Sequence, residues 1–205
     1  MLTTTTLIII ATSVISVAAF PRGSFMPESL QRPEWFNKMK FNPYLVAHNK
    51  ELYRLYSHGL IHADYWHLIF NMMTLYFFGD FVDQCFQELA GPIAGKILFL
   101  VLYITALDTS CLIDMAKNHN NPGYNAVGAS GAISAVLFAA ILLNPTMKIA
   151  FLFVPIPIPA WLFGILYLIY CIVMARRGGD NIGHTAHATG AVYGLLFTLV
   201  LRALA

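Results

Sequence analysis

Six apolar segments limit how this chain can fold, because each is close to the length that crosses a bilayer. A helix of about 20 mainly apolar residues spans the hydrocarbon core, and backbone groups in lipid must be hydrogen-bonded within the segment. The chain is 58% hydrophobic and 11% charged, against roughly 25% charged in soluble domains. We therefore predict an all-α polytopic membrane protein, a single membrane domain over residues 1–205. Its six transmembrane helices are expected at about 2–20, 62–81, 93–113, 127–143, 160–175 and 182–203.

The first apolar segment has a second interpretation, as a secretory signal peptide. Its threonine-rich start and the pair Ala18 and Ala19 near its end resemble such a peptide. No Lys or Arg precedes the apolar residues, however, and further apolar segments follow. We therefore interpret this segment as a retained first helix.

Two stretches between the predicted helices have a distinctive composition. Residues 21–61 hold half of the twelve Lys and Arg residues, mixed with aromatic side chains. Because this mixture suits the headgroup layer, we predict an interfacial first loop that contains short helices. Residues 145–159 end in alternating prolines, which exclude a helix and favour extended backbone.

Charge and cysteine content exclude several classes of protein. The net charge of +2 gives no argument for nucleic-acid binding. The three cysteines lie singly, without the spacing of a zinc site or a disulfide framework. A metal or haem protein that uses His62, His67, His184 and His187 is an alternative, but their spacing fits no standard ligand set. We predict no cofactor, no metal and no nucleic-acid partner, and a lipid bilayer as the surroundings.

Three polar residues lie near the starts of the second, fourth and sixth predicted helices. Alternate spans run in the same direction, so these three helices begin on one side of the bilayer. His67 and His187 each lie about five residues into their helices, which is a depth of roughly 8 Å, and Ser130 is near the start of its own. Ionisable residues inside spans are rare and are usually functional. We therefore predict that the three side chains meet in one buried layer.

Glycines surround both the serine and the last histidine at helical spacing. They are Gly128 and Gly131 beside Ser130, and Gly183, Gly190 and Gly194 around His187. Glycine costs a helix roughly 1 kcal/mol relative to alanine, but it lets two helices approach closely. An imidazole in contact with a serine can take its proton and make it a nucleophile. We predict a dyad of Ser130 and His187, with His184 as a less favoured base because it lacks glycines at matching offsets.

Acyl transfer also requires hydrogen-bond donors for the oxyanion that forms at the carbonyl. His67 and Asn71 are four residues apart and share one helix face. The backbone at Ala129 and Ser130 lies at a helix N-terminus, where the helix dipole favours an anion. We predict that these four residues stabilise the oxyanion.

Four motifs, in order along nearly the whole chain, resemble those of the rhomboid family of intramembrane serine proteases. Gly128–Gly131 resembles the G-x-S-G of the nucleophile, and Ala186–Gly190 resembles the A-H-x-x-G of the base. His67–Asn71 resembles the H-x-x-x-N of the second helix, and Tyr53–Arg54 resembles a W-R pair in the first loop. The resemblance implies a six-helix rhomboid-like bundle, with Arg54 supporting the first loop.

One position departs from the pattern of the family. Many relatives carry an aromatic residue four positions after the nucleophile, where it packs against the catalytic imidazole. Ser134 occupies that position here. The departure leaves open what orients the ring of His187.

The resemblance implies an endopeptidase that cleaves transmembrane segments of other proteins near the bilayer surface. Its partners would be transmembrane protein substrates, and its location a plasma (bacterial inner) membrane. A catalytically silent rhomboid-like binder of membrane proteins is the alternative. The substrate, the oligomeric state and the orientation stay open, because the loops that the family places outside hold most of the Lys and Arg residues, against the positive-inside rule.

Overall fold

The fold is predominantly helical. A computed structural model describes residues 2–20, 31–151, 154–179 and 182–205, with the backbone alone for 151, 154 and 155. The helices are α1 Thr4–Ala19, α2 Pro33–Met39, α3 Pro43–Asn49, α4 Arg54–Ser57, a 3₁₀ turn His58–Leu60, α5 Tyr65–Ala90, α6 Pro92–Ser110, α7 Leu112–Asn118, α8 Ser130–Leu143, α9 Ala160–Arg177 and α10 His184–Leu204. Two strands, β1 Lys148–Phe151 and β2 Val154–Pro159, precede α9.

Each of the six predicted segments contains a helix, but the second was predicted too short. Helix α5 continues nine residues beyond the predicted end at 81, so the predicted loop at 82–91 is wrong for most of its length. Val82 and Phe86 are four residues apart and fully buried, which extends the apolar face of the helix. Gly91 at φ +90° and Pro92 then end α5 and begin α6.

The third predicted helix is also interrupted. Helix α6 ends at Ser110, and Cys111 joins it to the short helix α7. Helix α7 extends to Asn118, into the stretch 114–126 between the predicted third and fourth helices, where the turn-forming residues predict a loop. The buried Cys111 and Asp114 hold this extension against the body of the protein.

Three helical segments are long and apolar enough to cross a membrane: Pro92–Asn118, Ala160–Arg177 and His184–Leu204. Helices α1 and α8 are apolar but shorter. Within the described residues, length and composition therefore support a polytopic helical protein with three candidate spans. The count of six transmembrane helices stays a prediction.

The first loop contains short helices, as the sequence predicted, and residues 21–30 of it lie outside the described part. Arg54 at the start of α4 is 6% exposed. Its side chain donates to Glu51 at 2.6 Å and to the carbonyls of Asn37 and Lys40 at 3.1 and 2.9 Å. Arg54 therefore links the start of α4 to Glu51 and to the end of α2.

The predicted extended stretch before α9 forms a two-stranded antiparallel hairpin. Lys148 pairs with Pro159, and Ile149 pairs with Ile158. Proline has no N–H to donate to a ladder and is tolerated at a sheet edge. The hairpin leads directly into α9, because Ala160 N–H donates to the Met147 carbonyl.

Helix α8 lies at the centre of the bundle. Every residue from Gly131 to Ile141 is buried, and α5, α6, α9 and α10 pack around it. Most of these residues are Ala, Gly, Ser or Val, whose small side chains allow neighbouring helices to come close. Ser130 is the first residue of this central helix.

Candidate active site

Helices α8 and α10 meet through glycines, as the glycine spacing predicts. A Cβ atom added to Gly190 would collide with the carbonyl oxygen of Gly131 and lie 2.8 Å from its carbonyl carbon. One turn further, a Cβ on Gly194 would lie 2.6 Å from Cα of Ala135. Gly183 lies outside this contact, since its nearest neighbour would be Ala186 Cβ at 3.8 Å.

This contact brings together the ends of the two helices that carry the candidate dyad. Gly131 is adjacent to Ser130, and Gly190 is one turn after His187. Both Ser130 and His187 are half-buried. The two backbones touch directly at Gly131 and Gly190, so no side chain separates the helices at this level.

A cavity of about 210 Å³ opens beside Ser130. It lies between α5, α8 and α9, and its lining residues are Phe70, Asn71, Thr74, Ser130, Ile133, Ser134, Leu137, Phe163 and Tyr167. The lining is mainly apolar and includes a few polar residues, as in many ligand sites. Ser130 and Asn71 therefore face the same space.

Helix α5 positions His67 and Asn71 on that side of the molecule. Asp64 caps the helix by accepting from the N–H of His67 at 2.8 Å. The Asn71 side-chain amide donates to the His67 carbonyl at 2.7 Å. An amide NH₂ has two hydrogens, so Asn71 keeps a second donor.

The loop before Ser130 requires glycine at one position. Gly128 has φ +110°, which L residues rarely adopt. A Cβ there would also lie 2.5 Å from Cε1 of His67, so the imidazole rests directly on the Gly128 backbone. His67 thus contacts the loop that presents the serine, while Asn71 reaches the cavity.

Two further histidines, His58 and His62, hydrogen-bond to this loop. His58 accepts the N–H of Gly128 with its carbonyl at 2.9 Å, and its ring Nδ1 lies 3.2 Å from the Gly128 carbonyl. His62 Nε2 accepts the Ala129 N–H at 3.4 Å. The amide of Ala129 is thus engaged by His62, whereas the first amides of α8, from Ser130 onwards, have no partner within the helix.

Burial keeps both supporting histidines neutral. Loss of solvent lowers the pKa of His58 below the usual 6.5 and that of His62 to about 3, and the nearby His67 contributes to the lowering at His62. Since Nε2 of His62 accepts a hydrogen bond, its proton lies on Nδ1, which is 3.3 Å from the Ser16 hydroxyl. His62 therefore links α1 to the residue before the serine, a role that its sequence position alone did not reveal.

The ring of His187 lies against Tyr167 of α9. The two ring centroids are 6.4 Å apart and the planes are 21° from parallel. The Tyr167 hydroxyl is 2.7 Å from the hydroxyl of Ser134. The aromatic residue missing from position 134 is thus replaced by one from another helix, and the small Ser134 leaves room for it. The contact of Tyr167 with His187 was not predicted from the sequence, because no motif surrounds Tyr167.

One group of metal-ligating side chains lies close together in the described residues: Cys171, His184 and His187. The four histidines considered from the sequence divide into two pairs instead. His62 and His67 have ring centroids 4.9 Å apart, and His184 and His187 have centroids 6.1 Å apart. Neither His62 nor His67 belongs to the group that contains His184 and His187, so within the described residues the four histidines do not form a single ligand set.

Comparison with known proteins assigns the family. A family model described as Rhomboid domain matches residues 49–204, and the chain belongs to the rhomboid family, whose members are helical integral membrane proteins. The chain is similar to RHOMBOID-like protein 12, mitochondrial, of Arabidopsis thaliana, with 31% identity over 147 residues. It is also similar to rhomboid protease GlpG of Haemophilus influenzae, with 24% identity over 160 residues.

The two relatives differ in how much of them the chain covers. The matched region is 68% of this chain and 44% of the plant protein. It is 77% of this chain and 74% of the bacterial protein. The chain therefore spans less than half the length of the plant relative.

Proposed function

We propose that this protein is an intramembrane serine endopeptidase that cleaves transmembrane segments near the bilayer surface with a Ser130–His187 dyad. The contact of Gly190 with Gly131 is the observation that carries the proposal. It holds the helices of the serine and the histidine in backbone contact, beside a cavity that Ser130 lines. The bacterial relative is a rhomboid protease by name, which supports the same activity.

The catalytic cycle follows from these positions. Ser130 Oγ attacks the scissile carbonyl as His187 takes its proton, and His187 then gives this proton to the leaving amine. The product is an ester between the substrate and Ser130. Water attacks this ester, with His187 again as base, and releases the second fragment and the free serine.

The oxyanion is stabilised by donors that surround the start of α8. The amides of the first turn lack partners within the helix and carry the positive end of its dipole. Asn71, which keeps a second N–H, lines the same cavity, and His67 contacts the loop beside it. Loss of one such donor typically lowers kcat by about 10² to 10³.

Substrates of this enzyme are transmembrane segments that unwind easily. A helix hides its peptide bonds, so residues that weaken the helix near the cut favour cleavage. The six apolar helices α1, α5, α6, α8, α9 and α10 cross the bilayer in this proposal. We place the protein in a plasma membrane, and the mitochondrial name of the plant relative makes a mitochondrial membrane the competing location. Fractionation of host cells distinguishes the two.

The decisive experiment incubates the purified protein in proteoliposomes with a transmembrane reporter substrate. Wild-type protein is expected to cleave it, whereas Ser130→Ala and His187→Ala are not. Thr74→Val is the matched control, because Thr74 lines the same cavity but donates to its own helix at the Phe70 carbonyl. Cleavage by Ser130→Ala at the wild-type rate would refute the proposal.

A fluorophosphonate probe separates the enzyme from a silent binder of the same fold. The enzyme is expected to be labelled at Ser130, and the label is expected to disappear in both Ser130→Ala and His187→Ala. Absence of labelling in correctly folded wild-type protein would instead favour a binder of membrane proteins.

A further inference from the structure

Three donors of metal-ligand type meet between α9 and α10. Cys171 Sγ and ring nitrogens of His184 and His187 all lie within 4.8 Å of one another. Cys171 is fully buried and His184 is 3% exposed, whereas His187 is half-buried. Two of the three donors are therefore shielded from water, and His187 is the most accessible of the group.

The arrangement results from the helical repeat on both elements. His184 and His187 are three residues apart, so they share one face of α10. Tyr167 and Cys171 are four residues apart on α9, and Tyr167 stacks on His187. The same face of α9 thus presents an aromatic ring and a thiol to the two imidazoles. Tyr170 packs edge-on against His184, with centroids 5.3 Å apart, and closes the other end.

The donor set suits Zn²⁺. A mixture of thiolate and imidazole ligands is typical of zinc, which takes three protein ligands and a water where one position stays open. Tetrahedral bonds to sulfur and nitrogen place the ligand atoms about 3.3 to 3.8 Å apart. The observed 4.8 Å limit exceeds this by about 1 Å, which rotation of the side chains can close.

We propose that Cys171, His184 and His187 form an inhibitory binding site for Zn²⁺ or a similar thiophilic divalent cation. The inhibitory role rests on the proposed function, because it requires His187 to be the base. A neutral imidazole has one nitrogen lone pair in its plane, and its other nitrogen carries hydrogen. Once the metal binds that lone pair, His187 has no site for the proton of Ser130.

The binding step is balanced by release of one proton. Two neutral imidazoles each donate a lone pair to the cation. The Cys171 thiol releases its proton to solvent, and the resulting thiolate forms a Zn–S bond. No electron is transferred, and removal of the metal by a chelator restores the thiol and the base. The site is thus a reversible switch on the general base and not a cofactor site.

Metal binding is tested without any need for activity. Ser130→Ala protein is titrated with Co²⁺, whose thiolate charge-transfer absorption reports a Co–S bond, and Zn²⁺ is then added to displace it. We expect the absorption to form, to disappear with Zn²⁺ and to be absent when Cys171→Ser is added to the same protein. Cys171→Ala is a second variant in case the buried serine hydroxyl impairs folding. Cys85→Ser is the matched control and is expected to keep the absorption.

Inhibition is tested on the active protein with the reporter substrate. Zn²⁺ is expected to stop cleavage, and a chelator to restore it. Loss of a group that only supports a metal ligand lowers metal affinity about 10- to 100-fold. Because Cys171 is itself a ligand, its loss is expected to raise the half-inhibitory Zn²⁺ concentration about 100-fold, the upper end of this range. Basal cleavage by Cys171→Ser is expected to persist, and Cys85→Ser is expected to respond to Zn²⁺ as the wild type does.

The possible outcomes distinguish the metal site, its inhibitory role and the proposed peptidase function. Absence of the Co²⁺ absorption in folded Ser130→Ala protein would overturn the site, whatever the activity. Equal inhibition of wild type and Cys171→Ser would place the inhibitory metal elsewhere and overturn it too. Metal binding with unchanged cleavage would overturn the inhibitory role alone. Absence of wild-type peptidase activity beside normal Co²⁺ binding would refute the proposed function and leave the metal site standing.

Discussion

Substitution of Gly190 by alanine tests whether backbone contact between α8 and α10 positions the dyad. The new Cβ would lie 2.8 Å from the carbonyl carbon of Gly131 and 3.1 Å from its Cα. An ordinary contact begins at 3.4 Å, so the carbonyl carbon must withdraw by 3.4 − 2.8, or about 0.6 Å, and the carbonyl oxygen must withdraw further. Both obstacles are backbone atoms, which cannot rotate away.

The expected cost follows from this displacement. Overpacking of a close contact destabilises a protein by about 1 to 3 kcal/mol. A misplacement of about 1 Å between reacting groups costs about 10²-fold in rate. Gly190→Ala is therefore expected to lower cleavage about 10²-fold and to lower the midpoint of thermal denaturation. Cleavage of the reporter substrate in proteoliposomes and thermal denaturation measure these two effects.

Gly183→Ala is the matched control on the same helix. Its Cβ would meet only Ala186 Cβ, at 3.8 Å, and its φ of −75° is ordinary for alanine. We expect near wild-type cleavage and stability from this variant. Equal activity of Gly190→Ala and Gly183→Ala would show that close approach of the two helices does not align the serine with the histidine.

Three other substitutions test single contacts. Tyr167→Leu removes the stacked ring from His187 and is expected to lower kcat about 3- to 10-fold, in line with the energy of an aromatic contact. Steady-state kinetics should show an unchanged KM and a partial rescue of kcat when Ser134→Tyr is added. Absence of this rescue would contradict the positioning role of Tyr167. Arg54→Ala removes two hydrogen bonds from a buried charged group to backbone carbonyls, so a loss of about 1.5 to 3 kcal/mol in the free energy of unfolding is expected. An unchanged denaturation midpoint would exclude the supporting role. Burial lowers the pKa of His62 in the folded state, so its contribution to stability is fully present above the unfolded pKa of 6.5 and decreases as the pH drops below that value. Between about pH 7 and pH 5, the denaturation midpoint should fall more in wild type than in His62→Gln. An equal pH dependence of the two midpoints would contradict the neutral state of His62 in the folded protein.

The helices were largely predictable because apolar composition and turn-forming residues are local properties. The end of α5 was not predictable, because the charged residues Asp83 and Glu88, which follow the predicted end at 81, are typical of a loop. Val82 and Phe86 are nevertheless buried, and the chain turns only at Gly91 and Pro92. Asp83 is itself buried with Val82 and Phe86, so a charged residue at this position does not end the helix, and composition misplaced this boundary.

The candidate site was predictable only where short motifs carry it. The glycine spacing around His187 predicted a close contact, and the structure has that contact at Gly190 and Gly194. Tyr167 and Cys171 belong to no motif. Their proximity to His187 depends on which face of α9 turns toward α10, and tertiary packing determines this rotation. The assignment of Ser130 and His187 as a dyad stays a prediction that the proposed assays address.

Helix α9 has three buried residues among its eighteen: Ala160, Gly164 and Cys171. It nevertheless carries the ring that lies against His187. In the proposed enzyme, lateral pressure on this outward-facing helix would act on the half-buried imidazole of His187. Turnover should accordingly respond to acyl-chain length in the surrounding lipid, even when the amino-acid sequence is unchanged, so the membrane itself acts as an effector of the histidine.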